Sequence, residues 1–291
     1  MVTLREFIYP STLEQALTAL EGGRESARAL AGGTSVIFFR GQGTAALVDI
    51  TRLGLDEIAE EGDDLVLGAC VRLQRLARAP EVRSPGLRAL AEAAAVAGPR
   101  AVRNVVTLGG NVVGYKRWSD TPNALLALGA RVELARAGCP PRVLPLADLY
   151  TKHPQTLLAP GELVTRFRLP LPGARVGSAY LKLAHTRVDY ALVSAAARVS
   201  LGEDGQVVDA SLVIGALEHL PAKQGWVEGM LRGNKLDKEV LDGVAERVRE
   251  TLKPAADMRA SAHYLKEVAG VTARDALERA ARLARGEEQH G

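Results

Sequence analysis

Two short stretches carry residue types suited to holding an anion. "AGGTS", Ala31 to Ser35, follows a strand-like apolar run, and "TLGGN", Thr107 to Asn111, lies downstream of an alanine-rich helical pattern. Paired glycines let a backbone approach a ligand closely and turn successive N–H groups toward it. The hydroxyls of Thr34, Ser35 and Thr107 and the amide of Asn111 add donors, a set that suits a phosphate or pyrophosphate. An ordinary strand-to-helix turn uses the same ingredients, so either stretch alone is ambiguous. Two of them in one domain favour a dinucleotide, whose two-phosphate bridge takes donors from two sides. Neither is a P-loop, because no Gly-Lys-Ser/Thr follows. The Rossmann spacing is missing too, since the only G-x-G nearby is Gly41-Gln42-Gly43 with Thr44 after it.

The elements that position these stretches are legible as a pattern. Residues 4–9 read as a strand ended by Pro10. Ser11 with Glu14 makes a capping box for a helix with Leu13, Ala16, Leu17 and Leu20 on one face, stopped by Gly22 and Gly23. "ARALAGG" and "AALVDI" are short strands, so about the first 55 residues form a small β-α-β lobe. A larger lobe, about 56–172, holds the strand "DDLVLGA", a helix from Leu87 to Ala97, a helix entered through Thr121 and Pro122, and the strand "RVELAR". In "ELVTRFRLP", Leu163, Thr165, Phe167 and Leu169 face one way and Val164, Arg166 and Arg168 the other. "PLPGARVG" marks a boundary near residue 173. Beyond it, "SAYLKLA", "YALVSAAARVSL" and "QVVDASLVIGAL" read as an antiparallel three-stranded meander. Helices follow over 238–252, 258–268 and 273–285. The fold class is α+β: a two-lobed domain over 1–172 and a smaller domain over 173–291.

Composition closes off several functions. A net charge of +3, with 37 basic and 34 acidic residues scattered along the chain, calls for neither nucleic acid nor an acidic membrane. Only two cysteines are present, Cys70 and Cys139, whereas an iron–sulfur cluster takes about four ligands, so the chain holds none of its own. None of the five histidines has a metal-like neighbour. No signal-peptide run opens the chain, and no stretch approaches the roughly 18 apolar residues of a membrane span, which gives the expectation of a soluble, cytoplasmic protein.

The ordered set of motifs resembles a known family. "AGGTS" with "LVDITRL", "VRNVVTLGGN" with Asp120 nine residues on and then "ALLALGARVEL", "LAPGELVTRFRLP", "AYLKLAHTRVDYALV" and "PAADMRASAHYLKEV" are similar to the FAD-binding subunits of the molybdenum hydroxylases: xanthine dehydrogenase, aldehyde oxidoreductases and aerobic carbon monoxide dehydrogenase. The resemblance spans almost the whole chain. It implies a two-lobed FAD-binding domain of the PCMH type, in which Ala31, Gly32, Gly33, Thr34, Ser35 and Val36 form one clamp on the FAD pyrophosphate. Thr107, Leu108, Gly109, Gly110 and Asn111 form the other. It implies a polar contact with the cofactor from Asp120, an aliphatic contact from Val164, a lysine beside the flavin in Lys182 and a tyrosine close to it in Tyr190. A helix-entry acid, a plain strand position, an exposed strand lysine and a core tyrosine are the respective structural alternatives.

The resemblance further implies an oxidoreductase subunit with no catalytic acid or nucleophile and no metal of its own. Its partners are a molybdenum-binding large subunit and a [2Fe–2S] small subunit, as a dimer of heterotrimers. Electrons enter from the clusters and leave to NAD⁺, oxygen or a quinone. Purine oxidation by the partner is the first expectation, carbon monoxide or aldehyde oxidation the second, and a scaffold subunit that has lost FAD the third. The chain departs from the family's pattern in "GYKRWS", Gly114 to Ser119, where relatives carry smaller residues, and at Ala97, where some carry an aromatic ring. Lys116 and Arg117 are expected either to add charge near the pyrophosphate or to serve docking.

Overall fold

The computed structural model describes residues 4–23, 27–36, 45–256 and 258–287; Gly41-Gln42-Gly43 and Thr44 lie outside them. The chain forms two compact units. The first comprises Met1–Arg75, Arg100–Tyr115 and Ala130–Leu169, and the second Leu76–Pro99, Lys116–Gly129 and Pro170–Gly291. Segments 76–99 and 116–129 thus pack with the C-terminal part of the chain.

In the first unit, β1 (Glu6–Ile8), α1 (Leu13–Leu20), β2 (Ala27–Leu30) and β3 (Ala46–Asp49) build a parallel sheet in the order β1-β3-β2. Helix α1 starts one residue later than the expected capping box. Thr12 is the N-cap, accepting from the Gln15 N–H at 3.2 Å, while Gln15 Oε1 accepts from the Ser11 N–H at 2.9 Å. The amide of Gln15 thereby takes the role expected of Glu14. Gly23, at φ +72°, ends the turn after the helix, a conformation that favours glycine. Ala16, Leu17 and Leu20 bury the inner face of α1 in a core with Val48, Ile50, Leu55 and Cys70.

A second sheet of this unit runs in the order β4-β5-β8-β6-β7: β4 (Ile58–Glu61), β5 (Asp64–Gly68), β6 (Arg131–Arg136), β7 (Cys139–Pro145) and β8 (Leu163–Pro170). The register of β8 on β6 shifts between the Arg166–Glu133 and Val164–Leu134 pairs and skips Thr165. The alternation expected along β8 is therefore broken there, and Leu163, Val164 and Thr165 are all buried. Short helices α2 (Leu73–Leu76), α4 (Arg100–Arg103), α5 (Leu108–Val113) and α7 (Pro154–Leu157) connect these strands, α2 ending at the border of the unit.

The second unit holds a four-stranded antiparallel sheet, β12-β11-β10-β9, from β9 (Val176–Leu183), β10 (Val193–Leu201), β11 (Val207–Gly215) and β12 (Ala222–Lys223). The expected meander has three strands; the two-residue β12 is too short to show in a sequence pattern. Period-2 alternation sorts its faces. Ala179, Ala195, Ala197, Val199, Leu212 and Ile214 bury against helices α9 (Lys238–Thr251) and α10 (Ala262–Ala284). Ser178, Tyr180, Lys182 and Ser194 bond instead to residues of α3 (Arg88–Val96), of α6 (Thr121–Ala127) and of the turns flanking them. Helix α8 (Val227–Leu231) follows β12. The two helices expected over 258–268 and 273–285 are one, with Ser261 as N-cap. The stretch 269–272 between them is helical too, and Gly270 sits where its missing Cβ would come 2.7 Å from the Ala245 carbonyl of α9. Tertiary packing explains this glycine, not chain reversal.

Candidate functional site

In the first unit the two glycine stretches abut. A Cβ on Gly32 would lie 1.9 Å from the Val105 carbonyl oxygen, so the first loop passes directly over the backbone leading into the second stretch. A Cβ on Gly114 would meet the Ser35 side chain at 3.3 Å, so the contact continues to the far end of α5. Gly33 sits at φ +72°, which turns the chain between Gly32 and the Thr34 hydroxyl. Ala31 to Val36 are all half-buried, leaving the Thr34 and Ser35 hydroxyls at the surface of a shaped loop.

The second stretch reads as a loop but folds as a helix start. Thr107 is the N-cap of α5, its Oγ1 accepting from the Gly110 N–H at 3.2 Å. The Leu108 and Gly109 N–H groups, expected to point at an anion, donate instead to the Val71 and Ala69 carbonyls, each at 2.8 Å. Thr107, Leu108 and Gly109 are buried, whereas Gly110 is exposed and Asn111 half-buried. Gly109 is fixed by packing, since its Cβ would stand 2.8 Å from the Ala69 methyl. The outward part of this motif is Gly110 and Asn111, and the rest is its mounting. Val164 is 2% exposed, so its side chain offers no surface in this conformation.

The second unit gathers two of the expected residues, Asp120 and Lys182, with others that motif reading missed. Asp120 precedes α6 but does not cap it with its side chain. Its Oδ1 accepts from the Tyr180 hydroxyl at 2.6 Å, and its Oδ2 pairs with Lys182 Nζ at 3.3 Å. Lys182 also donates to the Val96 carbonyl at 3.0 Å, and its side chain is 6% exposed. The Asn123 amide donates to Ser194 Oγ at 3.0 Å. Gly215 makes room for Asn123, whose Nδ2 lies 2.1 Å from where a Cβ would be. Burial pushes the Asp120 carboxyl up to about 6, against the lowering effects of Lys182 and then of the Tyr180 hydrogen bond. Burial, and the neighbouring Asp120 charge, push the Tyr180 phenol far above its ordinary value. Outside the cluster, the Tyr180 N–H donates to Glu92 at 2.9 Å, and Glu92 pairs with Arg279 of α10.

The "GYKRWS" stretch divides. Tyr115 is a core residue of the first unit, edge-on to Tyr150 at 5.3 Å. Its carbonyl accepts from His153 Nε2 at 3.1 Å while His153 Nδ1 accepts from the Gln155 N–H at 3.3 Å, which fixes the neutral Nε2–H tautomer. In the second unit, Lys116 to Ser119 form a tight turn, with Ser119 N–H donating to the Lys116 carbonyl at 2.7 Å. Trp118 stacks on Tyr190, with ring centroids 4.5 Å apart. Tyr190 is 63% exposed, so it is neither a core tyrosine nor a member of the buried cluster. Tyr180, Asn123 and Ser194 escaped motif reading because each sits at a spacing any strand or helix shows. The one signal was the polar alternation Ser178-Tyr180-Lys182 in a chain segment that is otherwise apolar.

A glycine loop laid over a second glycine segment, in a chain with neither a P-loop nor the Rossmann spacing, sets this α+β protein outside both of those nucleotide-binding classes. The FAD binding domain model of molybdopterin dehydrogenases matches residues 3–172, and the C-terminal domain model of CO dehydrogenase flavoproteins matches residues 178–280. The chain belongs to the FAD-binding subunits of the molybdenum hydroxylase family. It is 33% identical over 282 residues to the carbon monoxide dehydrogenase medium chain of Afipia carboxidovorans, covering 93% of this chain and 94% of that one. It is 30% identical to the glyceraldehyde dehydrogenase medium chain of Sulfolobus acidocaldarius, covering 94% and 98%. The solved structure of reconstituted CO dehydrogenase from Oligotropha carboxidovorans superimposes with a TM-score of 0.88 at 31% identity, over 97% of this chain and 99% of that one. The chain is therefore an oxidoreductase subunit carrying an FAD-binding domain. No helix among the described residues is long and apolar enough to cross a membrane.

Proposed function

We propose that this chain is the electron-exit subunit of a molybdenum hydroxylase, taking electrons from [2Fe–2S] clusters on a small subunit and passing them to an external acceptor. The observation that carries this reading is the direct apposition of Gly32 on Val105 in a domain of the FAD-binding family. FAD, when bound, supplies the exchange between one-electron and two-electron carriers. The donor set fits an uncharged grip on a diphosphate: hydroxyls from Thr34 and Ser35, backbone from Ala31 to Val36, and the outward Gly110 and Asn111, with Thr107, Leu108 and Gly109 holding that end in place. By family likeness Asp120 and Lys182 supply a polar contact, Val164 an aliphatic one and Tyr190 a ring close to the flavin. The partners are a molybdenum-binding large subunit and the small subunit, in a cytoplasmic dimer of heterotrimers.

For the partner's substrate, carbon monoxide or an aldehyde is favoured over a purine. Relatives at 33% and 30% identity are named for carbon monoxide and glyceraldehyde, while a xanthine dehydrogenase FAD-binding subunit from Escherichia coli O157:H7 stands at 28%. The test is the visible spectrum of the purified chain before and after acid precipitation, followed by co-purification with the two partner subunits. Flavin bands with FAD released to the supernatant support the reading. A chain that stays colourless after incubation with FAD refutes it and leaves the scaffold alternative.

A further inference from the structure

The ion pair of the second unit is held by Tyr180, a residue to which motif reading gave no role. Tyr180 projects from β9 between Asp120, at the entry to α6, and Asn123, one turn further along that helix. Its hydroxyl donates to Asp120 Oδ1 at 2.6 Å, a short bond of the charge-assisted kind. Asp120 holds the hydroxyl, and Glu92 accepts from the Tyr180 backbone N–H at 2.9 Å, so both ends of the residue are fixed. The residue is 4% exposed. A buried carboxylate with only Lys182 Nζ on one oxygen would leave its second oxygen without a donor; Tyr180 fills that place. A buried lysine, in turn, stays charged at low cost only while its counter-charge is held against it. Lys182 has three N–H donors, of which Val96 and Asp120 take two.

We infer that Tyr180 is the positioning residue of this cluster: its phenol fixes the orientation of Asp120, and through Asp120 it holds the Lys182 ammonium in its buried place, a hold on which cofactor affinity depends. The consequence for the cofactor rests on the FAD reading above, and the hold on Asp120 does not. The charged groups on the elements packed around Asp120 are few. They are Lys182 on β9, Lys116 and Arg117 in the turn just before Asp120, Arg88 and Glu92 on α3, Arg279 on α10, and the Arg198–Asp209 pair across β10 and β11, whose Arg198 lies four residues beyond Ser194. Removing the phenol hydroxyl leaves all of these in place and takes away only the second donor to the carboxylate.

The experiment is infrared titration of the carboxyl C=O stretch in the full chain, with the Asp120 band assigned by its loss in Asp120→Asn. In Tyr180→Phe the band should persist to higher pH, with proton affinity raised about tenfold or more, the size of one charge-assisted hydrogen bond. Ser194→Ala, which leaves the Tyr180 hydroxyl on Asp120, should give a much smaller shift. FAD titration of the same variants at neutral pH should show affinity weakening in the same order. An Asp120 band that titrates identically in wild type and Tyr180→Phe overturns the inference. A shifted band with unchanged FAD affinity overturns the cofactor half of it. A wild-type chain that binds no FAD while the band still shifts refutes the FAD reading and leaves the hold of Tyr180 on Asp120 standing.

Discussion

Replacing Gly32 by alanine tests whether the two glycine stretches are mounted on each other. The new Cβ would lie 1.9 Å from the Val105 carbonyl oxygen, and real Cβ atoms essentially never come within 3.0 Å of a neighbour, so one backbone must move by at least 1.1 Å (3.0 − 1.9). The second stretch cannot be the one to move. The Val106 carbonyl accepts from the Leu73 N–H at 3.0 Å, and the Leu108 N–H donates to Val71 at 2.8 Å, pinning that backbone on both sides of Thr107. The first loop therefore shifts, and carrying the extra methyl in its original place costs about 2 kcal/mol, within the usual range for overpacking. If FAD binds only to the unshifted loop, that strain reappears as weaker binding. At about 1.4 kcal/mol per decade, the expected loss of affinity is roughly 30-fold. The assay is fluorescence titration of apoprotein with FAD, with urea unfolding in parallel. Gly225→Ala, where nothing lies within 4 Å of the new Cβ, should change neither result. A Gly32→Ala protein that binds FAD within about threefold of wild type and unfolds at the same urea concentration would refute the reasoning.

Three other expectations concern stability. Asp120 titrates near 6 folded against 3.8 in the reference state, so its ionised form is penalised by the fold. The penalty is absent below 3.8, grows between 3.8 and about 6, and is complete above. Wild type should therefore gain about 2 kcal/mol relative to Asp120→Asn between pH 6.5 and 4.5 in urea unfolding, and an unchanged difference would contradict the assignment. Gly177→Ala should lower the thermal midpoint on the order of 5–10 °C, because its Cβ would stand 2.1 Å from the Ala280 carbonyl and 2.5 Å from the Ala284 nitrogen of α10; calorimetry checks it. Glu61→Gln, which breaks half-exposed pairs to Arg166 at 3.3 Å and Arg168 at 3.0 Å, should cost less than about 1 kcal/mol, with the difference shrinking in high salt.

Local pattern reading found nearly every long element, because helices such as α1 and strands such as β10 announce their periods within a few turns. It failed where the deciding partner lies far along the chain. The polar positions Ser178, Tyr180 and Lys182 look like the solvent face of a strand, and nothing nearby says that α3 and α6, from residues 88–96 and 121–127, cover them. The single helix α10 was read as two, with 269–272 left between them, where α9 packs against Gly270. Thr107 to Asn111 advertised an anion loop, yet the Leu108 and Gly109 amides are spent on the Val71 and Ala69 carbonyls, partners more than 30 residues earlier. Asp120 was legible as important only through family resemblance, and its bond to Tyr180 spans 60 residues.

Gly32 and Gly109 would be kept by selection for folding alone, since each is the only residue that lets its backbone lie where it does. A lineage that stopped using flavin would still inherit this spelling, and a search for "AGGTS" and "TLGGN" would count its members as flavoproteins. Cofactor loss should first be visible at positions free of that structural duty. In this chain the first such position is Thr34, which is half-buried. Substitution there, with the glycines intact, is the signature by which genomes can separate working electron carriers from their retired descendants.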